Sequence, residues 1–176
     1  NAHPTRIFSW LICESYDDKG NVITYEYQRE DSRRIFEDRL GQTTALAHER
    51  NRNEATRSAN RYLKRIRYGN REPYRPKRSE TEAWPDLPGD IEPDGTRNWF
   101  FEIVFDYGEH DEQDPKPSPT GVWPVRNDPF SSYRAGFEVR TYRLCQRVLM
   151  FHHVSDQSNN QPGYDGLVRS TDFTYS

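Results

Sequence analysis

The clearest pattern in the sequence is an alternation of apolar and polar residues from Trp99 to Tyr107. The odd positions are all aromatic or aliphatic, whereas Glu102 and Asp106 lie among the even positions. Successive side chains of a β-strand point to opposite faces of its sheet, so this period of two predicts a strand. We expect its odd-numbered face to cover a core.

A hairpin is predicted near the N-terminus. Arg6–Glu14 is rich in β-forming residues, and Asn21–Gln28 again alternates. Between them, Asp17–Asn21 has the composition of a tight turn, because glycine and asparagine tolerate a positive φ. The apolar face of the second strand consists of Ile23, Tyr25 and Tyr27.

Three further strands are predicted at Arg61–Tyr68, Phe137–Val154 and Leu167–Tyr175. Within the second of these, the apolar positions change from one parity to the other along the chain. A shift of one residue would turn every side chain to the opposite face. The pattern therefore predicts a bulge or bend near Leu144–Arg147.

Three long connections separate the predicted strands, at residues 29–59, 71–98 and 108–135. A short helix is predicted at Ser32–Leu40, with Asp31 as its N-cap. Irregular loops of this length are uncommon in a self-sufficient domain. They favour a domain that packs against neighbouring parts of a larger protein.

The composition supports a folded all-β chain. Leu, Ile, Val and Phe together fall below the roughly 20% at which disorder becomes common, but aromatic residues make up 14% and the net charge is only −3. Disordered chains are poor in aromatic residues. We therefore predict mainly antiparallel sheet with long irregular loops and one or two short helices, and no apolar run approaches the length of a membrane span.

Residues 1–176 are expected to be a single domain excised from a larger protein. The chain does not begin with methionine, and we expect Asn1 and Ala2 to be the remnant of a tag. Cys13 and Cys145 are too few for a zinc site or a disulfide framework. Inert thiols are favoured over a single bridge between them.

The densest group of acidic and histidine side chains lies at Asp106–Glu112, where a predicted strand ends. Glu109, His110 and Asp111 are candidate ligands of a divalent metal. A larger metal or hydrolytic site would add Asp106 and either His152 or His153, which point to opposite faces of one strand and cannot share an ion. The spacing matches no ligand motif, so a solvated turn is the favoured interpretation.

A basic stretch at Arg57–Arg78 is a candidate site for nucleic acid or another polyanion. It carries nine positive side chains, interleaved with Tyr62, Tyr68 and Tyr74. Glu80–Asp94 follows it with six acidic residues, and the two stretches can neutralise each other. With a net charge of −3, we do not expect nucleic acid to be a partner.

Several blocks, taken in order, resemble the SpvB-type domain. That family is the N-terminal region of the Salmonella virulence plasmid B protein and of the B component of insecticidal toxin complexes. The blocks include Asn60-Arg61-Tyr62-Leu63, Arg67-Tyr68-Gly69-Asn70, Phe105-Asp106-Tyr107-Gly108-Glu109, Asp128-Pro129-Phe130-Ser131-Ser132-Tyr133, Gly136-Phe137-Glu138-Val139-Arg140-Thr141 and Val148-Leu149-Met150-Phe151-His152-His153. The resemblance covers nearly the whole chain and corresponds to the later part of the domain.

The resemblance implies a non-catalytic structural domain of a secreted virulence or insecticidal toxin protein, which lies in the bacterial cytoplasm before export. Such a domain helps to build a hollow β-shell, with a β-propeller and Rhs-type repeats, around a toxic effector. Its implied partners are those domains and other toxin-complex components, and a dimer through an exposed strand or apolar face is a further expectation. No cofactor and no catalytic residue are implied, because the ADP-ribosyltransferase of the Salmonella relative lies in a separate domain.

The matching blocks are expected to shape the sheet and its turns. Gly69 and Gly108 each follow a tyrosine and are expected to let the backbone turn. Asp128-Pro129 is typical of a turn that begins there, and Gly136 restarts the strand that follows. The full set of motif residues is Tyr68, Gly69, Asn70, Asp106, Tyr107, Gly108, Asp128, Pro129, Phe130, Gly136, Phe137, Arg140, Arg143, Cys145, His152 and His153.

Overall fold

Eight antiparallel strands are present in the computed structural model, which describes residues 7–37, 47–74, 98–156 and 161–175. The strands are β1 (Glu14–Tyr16), β2 (Val22–Arg29), β3 (Arg61–Asn70), β4 (Trp99–Asp106), β5 (Phe130–Ser132), β6 (Val139–Thr141), β7 (Arg147–Asp156) and β8 (Gln161–Asp172). Six form one sheet in the order β1-β2-β3-β4-β7-β8, and β5 pairs with β6 in a second sheet. The all-β prediction is confirmed.

The predicted N-terminal hairpin forms, but its first strand is much shorter than the sequence indicated. β1 begins only at Glu14, and residues 7–12 lie outside any strand. The predicted turn is correct, since the amide of Gly20 donates to the carbonyl oxygen of Asp17 at 3.3 Å. Gly20 has a φ of +94°, which explains the glycine at that position.

β4 is covered on both faces: on the predicted face Trp99 is 2% exposed and Tyr107, just after the strand, is 8% exposed, but the middle of the opposite face is buried more deeply. Glu102, Val104 and Asp106 are each 1% exposed, whereas Phe101, Ile103 and Phe105 are only partly buried. The sequence did not predict burial of the even-numbered face, because hydrophobicity alone does not reveal ion pairs. Both carboxylates on that face are neutralised by side chains from neighbouring strands.

The predicted break in the longest apolar segment is confirmed. The chain leaves β6 after Thr141 and enters β7 of the main sheet at Arg147. At this crossing the amide of Gln146 donates to the carbonyl oxygen of Asp106 at 2.8 Å, which closes the end of β4. The last strand begins at Gln161, six residues before the predicted Leu167.

The helix predicted from Ser32 is absent from the part of it that the structure describes, residues 32–37. Ser32 and Arg34 have φ values of +59° and +61°, which no α-helix contains. Residues 38–40 lie outside the described ranges. A helix of four residues, α1 (Glu54–Arg57), and a 3₁₀ turn, Ala47–Glu49, occur later in the same connection.

The apolar core of the described residues is divided into three small clusters. They are Val22 with Tyr74 and Trp99; Tyr62 with Tyr107 and Trp123; and Val104 with Leu149 and Phe151. Many charged side chains are buried as well, among them Glu102, Asp106 and Arg143. The fold therefore depends on ion pairs in addition to apolar packing, and these pairs also occupy the candidate site.

Candidate functional site

The loop after β4 folds around the carboxylate of Asp106. Gly108, with a φ of +100°, reverses the chain so that three successive amides point back at Asp106 Oδ1. These amides, of Gly108, Glu109 and His110, donate at 2.7, 3.1 and 3.3 Å. Oδ2 accepts from Arg147 Nε at 2.6 Å. Asp106 therefore has its acceptor capacity filled by the protein itself.

Glu109 is also neutralised within the fold. Its Oε2 accepts from the amide of Tyr107 at 2.9 Å, and its Oε1 contacts the ammonium of Lys64 on β3. Lys64 donates in addition to the carbonyl oxygen of Phe105 at 2.8 Å. Burial lowers the pKa of Lys64 to about 8.

His110 completes the cluster as a buried imidazole. Its Nδ1 lies 2.9 Å from the carbonyl oxygen of Lys116, so Nδ1 carries the proton and Nε2 the lone pair. Nε2 lies 3.9 Å from Glu109 Oε1 and has no hydrogen-bond partner among the described residues. Burial lowers the pKa of His110, which favours the neutral ring.

Asp106, Glu109 and His110 thus lie together, with one ligand atom from each within 4.8 Å of the others. A divalent ion would have to displace the cations that already serve the two carboxylates, Arg147 and Lys64. Asp111 lies apart, because its carboxylate accepts the amides of Gln113 and Asp114 at the surface. The arrangement suits an internal ion-pair cluster that holds the loop against β3 and β7.

The larger site that would include His152 or His153 is not assembled. His152 pairs with Phe101 on β4, five residues from Asp106, which corresponds to ~17 Å along a strand. The ring of His152 packs edge-on against Phe101, with the centroids 4.9 Å apart. The sequence placed these histidines beside Asp106 only because strand register was unknown.

His153 belongs to a second cluster, centred on Glu102. Its Nε2 lies 3.2 Å from Glu102 Oε2, and its Nδ1 lies 2.7 Å from Asp165 on β8. Arg65 on β3 also binds Glu102, at 2.7 Å. The hydrogen bond with Glu102 raises the pKa of His153, and that with Asp165 acts in the same direction. This cluster connects four adjacent strands.

A third group of buried charges fastens the small sheet to the connection before β3. Arg140 Nε donates to Glu49 at 2.9 Å, and Tyr142 donates to the same carboxylate at 2.7 Å. Arg52 donates to Glu138 at 2.9 Å, and this hydrogen bond is the main cause that lowers the pKa of Glu138 to about 2. Sequence reasoning missed these pairs, because no local pattern links residues about 90 positions apart.

The basic stretch is mostly internal where the structure describes it. Lys64 and Arg65 form the ion pairs above, and Arg67 Nη1 lies 2.9 Å from Glu26 on β2. Arg71 donates to the carbonyl oxygen of His153 and lies over the ring of Phe100. Arg75, Lys77, Arg78 and the acidic stretch Glu80–Asp94 lie outside the described residues. The described part does not present the continuous basic surface that binds a polyanion.

The remaining motif residues have structural surroundings. Gly69 and Gly136 have φ values of +68° and +75°, as expected for backbone positions that favour glycine. Asp128 pairs with Arg126 at 2.9 Å, and Arg126 lies over the ring of Phe130. Cys13 and Cys145 are free thiols, and burial raises the pKa of Cys145 to about 11.

One cavity of about 280 Å³ adjoins the His110 cluster. Its lining includes Glu26, Tyr27, Lys64, Arg65 and His110. The charged groups in this lining are engaged in the ion pairs described above.

None of the described helices is long and apolar enough to cross a membrane.

Comparison with known proteins identifies the family to which this β-sheet domain belongs. The sequence model of the SpvB family, described as Salmonella virulence plasmid 65kDa B protein, matches residues 1–154. The chain belongs to this family, which confirms the resemblance seen in its sequence blocks.

Curated relatives support the same assignment. The chain is 38% identical over 154 residues to the mono(ADP-ribosyl)transferases SpvB of Salmonella typhimurium (strain 14028s / SGSC 2262) and Salmonella choleraesuis (strain SC-B67). The aligned part is 84% of this chain but 22% of each relative. The chain therefore spans about a fifth of the length of these proteins.

Solved structures of toxin proteins have the same fold. The N-terminal domain of effector protein SpvB from Salmonella typhimurium strain LT2 matches with a TM-score of 0.60 and 31% identity, over 95% of this chain and 51% of that one. The Photorhabdus luminescens Tc holotoxin pore matches with a TM-score of 0.60 and 34% identity, over 89% of this chain and 6% of that one. TcdB2-TccC3 matches with a TM-score of 0.62 and 34% identity, over 90% of this chain and 7% of that one.

Proposed function

We propose that this chain is a non-catalytic structural domain of a secreted toxin-complex B-like protein, where it forms part of a β-rich wall around a toxic effector. One observation carries the proposal: about nine-tenths of the chain matches TcdB2-TccC3 and the Tc holotoxin pore at 34% identity. The chain corresponds to only 6–7% of those long chains. A segment that makes up so small a part of a large chain is expected to serve as a structural element of it.

The buried carboxylates of the described residues are paired with cationic side chains, which supports a structural role. A general acid or base must reach the proton that it transfers. The carboxylates of Asp106, Glu109 and Glu102 instead face arginine, lysine or histidine side chains of neighbouring strands. These pairs fix strand to strand, which is what a rigid wall requires.

The proposed partners are the remaining domains of the same protein, a β-propeller and an Rhs-type shell, together with other toxin-complex components. The curated relatives are named as mono(ADP-ribosyl)transferases, and the segment matched here is 22% of their length. We assign the transferase reaction to parts of such proteins outside this segment. Incubation of this chain with labelled NAD⁺ and cell extract is expected to transfer no label.

Protease protection tests the enclosing role in the full-length protein with its effector segment. We expect the effector segment to resist digestion. Arg143→Met, which breaks the fully buried ion pair between Arg143 and Glu30, should accelerate its cleavage at least about tenfold. Asp114→Asn, which breaks an exposed pair, is the control and should leave protection unchanged.

Two outcomes contradict the proposal. In one, the effector segment of the unaltered protein is digested as fast as the free segment. In the other, the part that contains this chain is digested while the effector segment stays protected, which would place the chain outside the wall.

A further inference from the structure

The segment Ile7–Ile12, which we call the apolar segment, exposes more large apolar side chains than any other described stretch of its length. Trp10 is 85% exposed, Phe8 is 56% exposed, and Ile7, Leu11 and Ile12 are each more than 40% exposed. The segment contains no charged residue. Large exposed apolar patches on soluble proteins mark interaction surfaces.

The backbone of the apolar segment pairs with no strand among the described residues, although the Cys13 thiol donates locally to the carbonyl oxygen of Leu11 at 3.5 Å. The last backbone hydrogen bond of this region runs from the amide of Tyr25 to the carbonyl oxygen of Cys13, at 2.8 Å. Before Cys13 no backbone hydrogen bond joins the segment to another described residue. An apolar, unpaired stretch that continues an edge strand is a template for pairing with another strand.

The surroundings of the segment extend the same surface. The ring of Phe8 lies 6.4 Å from that of Phe137, which is itself 44% exposed. Tyr133, on the same connection between β5 and β6, is 65% exposed. Natural edge strands are usually protected by charges, proline or a bulge. The apolar segment has none of these, whereas β8, at the other edge, has a register shift and contains Pro162.

We propose that the apolar segment becomes a strand by pairing with a further part of the same N-terminal region of the full-length protein, which also covers its side chains. This inference rests on the proposed function. The occupant follows from the lengths: 95% of this chain matches only 51% of the SpvB N-terminal domain. About half of that domain is thus additional polypeptide that can supply the covering strand.

Hydrogen exchange of this chain and of the full-length protein tests the proposal. We expect the amides of residues 7–12 to exchange quickly in the 176-residue chain and at least about tenfold more slowly in the full-length protein. Trp10→Glu in the full-length protein should restore quick exchange in this segment. Val168→Glu, an equally radical change at an exposed position of β8, is the matched control and should leave the segment protected.

Three results would overturn the inference. The segment could exchange quickly in the full-length protein, it could already be protected in the monomeric chain, or it could become protected only as the chain dimerises. The second result would identify another part of this chain as the occupant, and the third a second copy. If any of these occurs while the effector segment still resists protease, the inference fails and the proposed function stands.

Discussion

Arg143 and Glu30 lie 113 residues apart in the sequence and form an ion pair in which neither side chain reaches solvent. Arg143 Nε donates to Glu30 Oε2 at 2.9 Å, and Arg143 also donates to the carbonyl oxygen of Trp123 at 2.8 Å. The pair joins the end of β2 to the crossing between the two sheets. It is the most deeply buried of the ionic contacts that replace a continuous apolar core.

Glu30→Gln is expected to lower the free energy of unfolding by about 3 kcal/mol, because the buried Arg143 guanidinium then keeps only the partly exposed carboxylate of Asp31, 3.4 Å away, as its counter-charge. Urea denaturation measures the change. Breaking the exposed pair of Lys116 and Asp114 with Asp114→Asn should cost no more than about 1 kcal/mol. Equal, small losses in both variants would show that the buried pair does not hold the fold together.

His153 should make stability depend on pH near neutrality. Its pKa is raised in the folded state by Glu102, with a further contribution from Asp165. The stabilisation is therefore complete below the ordinary value of 6.5 and is lost as the pH rises through the folded-state pKa. As the pH rises from 6.5 through the folded-state pKa, the free energy of unfolding of the unaltered chain should fall relative to that of the His153→Gln variant.

The matched control for this titration is the neighbouring His152→Gln, whose ring packs on Phe101. Urea unfolding at a series of pH values should show the same pH dependence in this variant as in the unaltered chain. If His153→Gln keeps the full pH dependence as well, the stabilisation comes from another group.

Gly69 and Gly136 allow a test of backbone strain against packing. Both have a positive φ, but a Cβ at Gly69 would lie 2.7 Å from the Phe101 ring, whereas a Cβ at Gly136 meets nothing within 4 Å. Gly136→Ala should cost about 1–2 kcal/mol from the left-handed backbone alone. Gly69→Ala should cost more, because the Phe101 ring must also move. Thermal unfolding measures both losses of stability. Equal losses in the two variants would refute the contact between a Cβ at position 69 and the Phe101 ring.

Zinc is expected to leave the melting temperature of the unaltered chain unchanged, because Lys64 and Arg147 already neutralise Glu109 and Asp106. Lys64→Met removes the cation beside Glu109 and should make the melting temperature respond to Zn²⁺. Adding His110→Ala to that variant should abolish the response. A zinc-dependent rise in the unaltered chain would instead support the metal site predicted as an alternative from the sequence.

The strands could be predicted from the sequence because a period of two is local, and β4 lies within one residue of its predicted bounds. The burial of the even-numbered face of β4 could not be predicted, since Glu102 is buried by pairing with Arg65 and His153, which lie far away in the chain. The same limit applies to the candidate site. Asp106, Glu109 and His110 are close in sequence and were found.

The partners of that group were not found, because they arrive through strand pairing. Lys64 comes from β3, 45 residues before Glu109, and Arg147 from β7, 41 residues after Asp106. Without them the group had the composition of a metal site. With them it is an internal ion-pair cluster. The buried ion pairs thus decide both the stability of the fold and the interpretation of its chemistry.

Electron cryomicroscopy of the full-length protein with its effector segment is the most direct test of the structural role. We expect this sheet to form part of a closed wall around the effector segment, with residues 7–12 paired to a strand from elsewhere in the protein. A map in which this domain lies outside the shell, or in which a ligand is bound between Glu109 and His110, would contradict the proposed structural role.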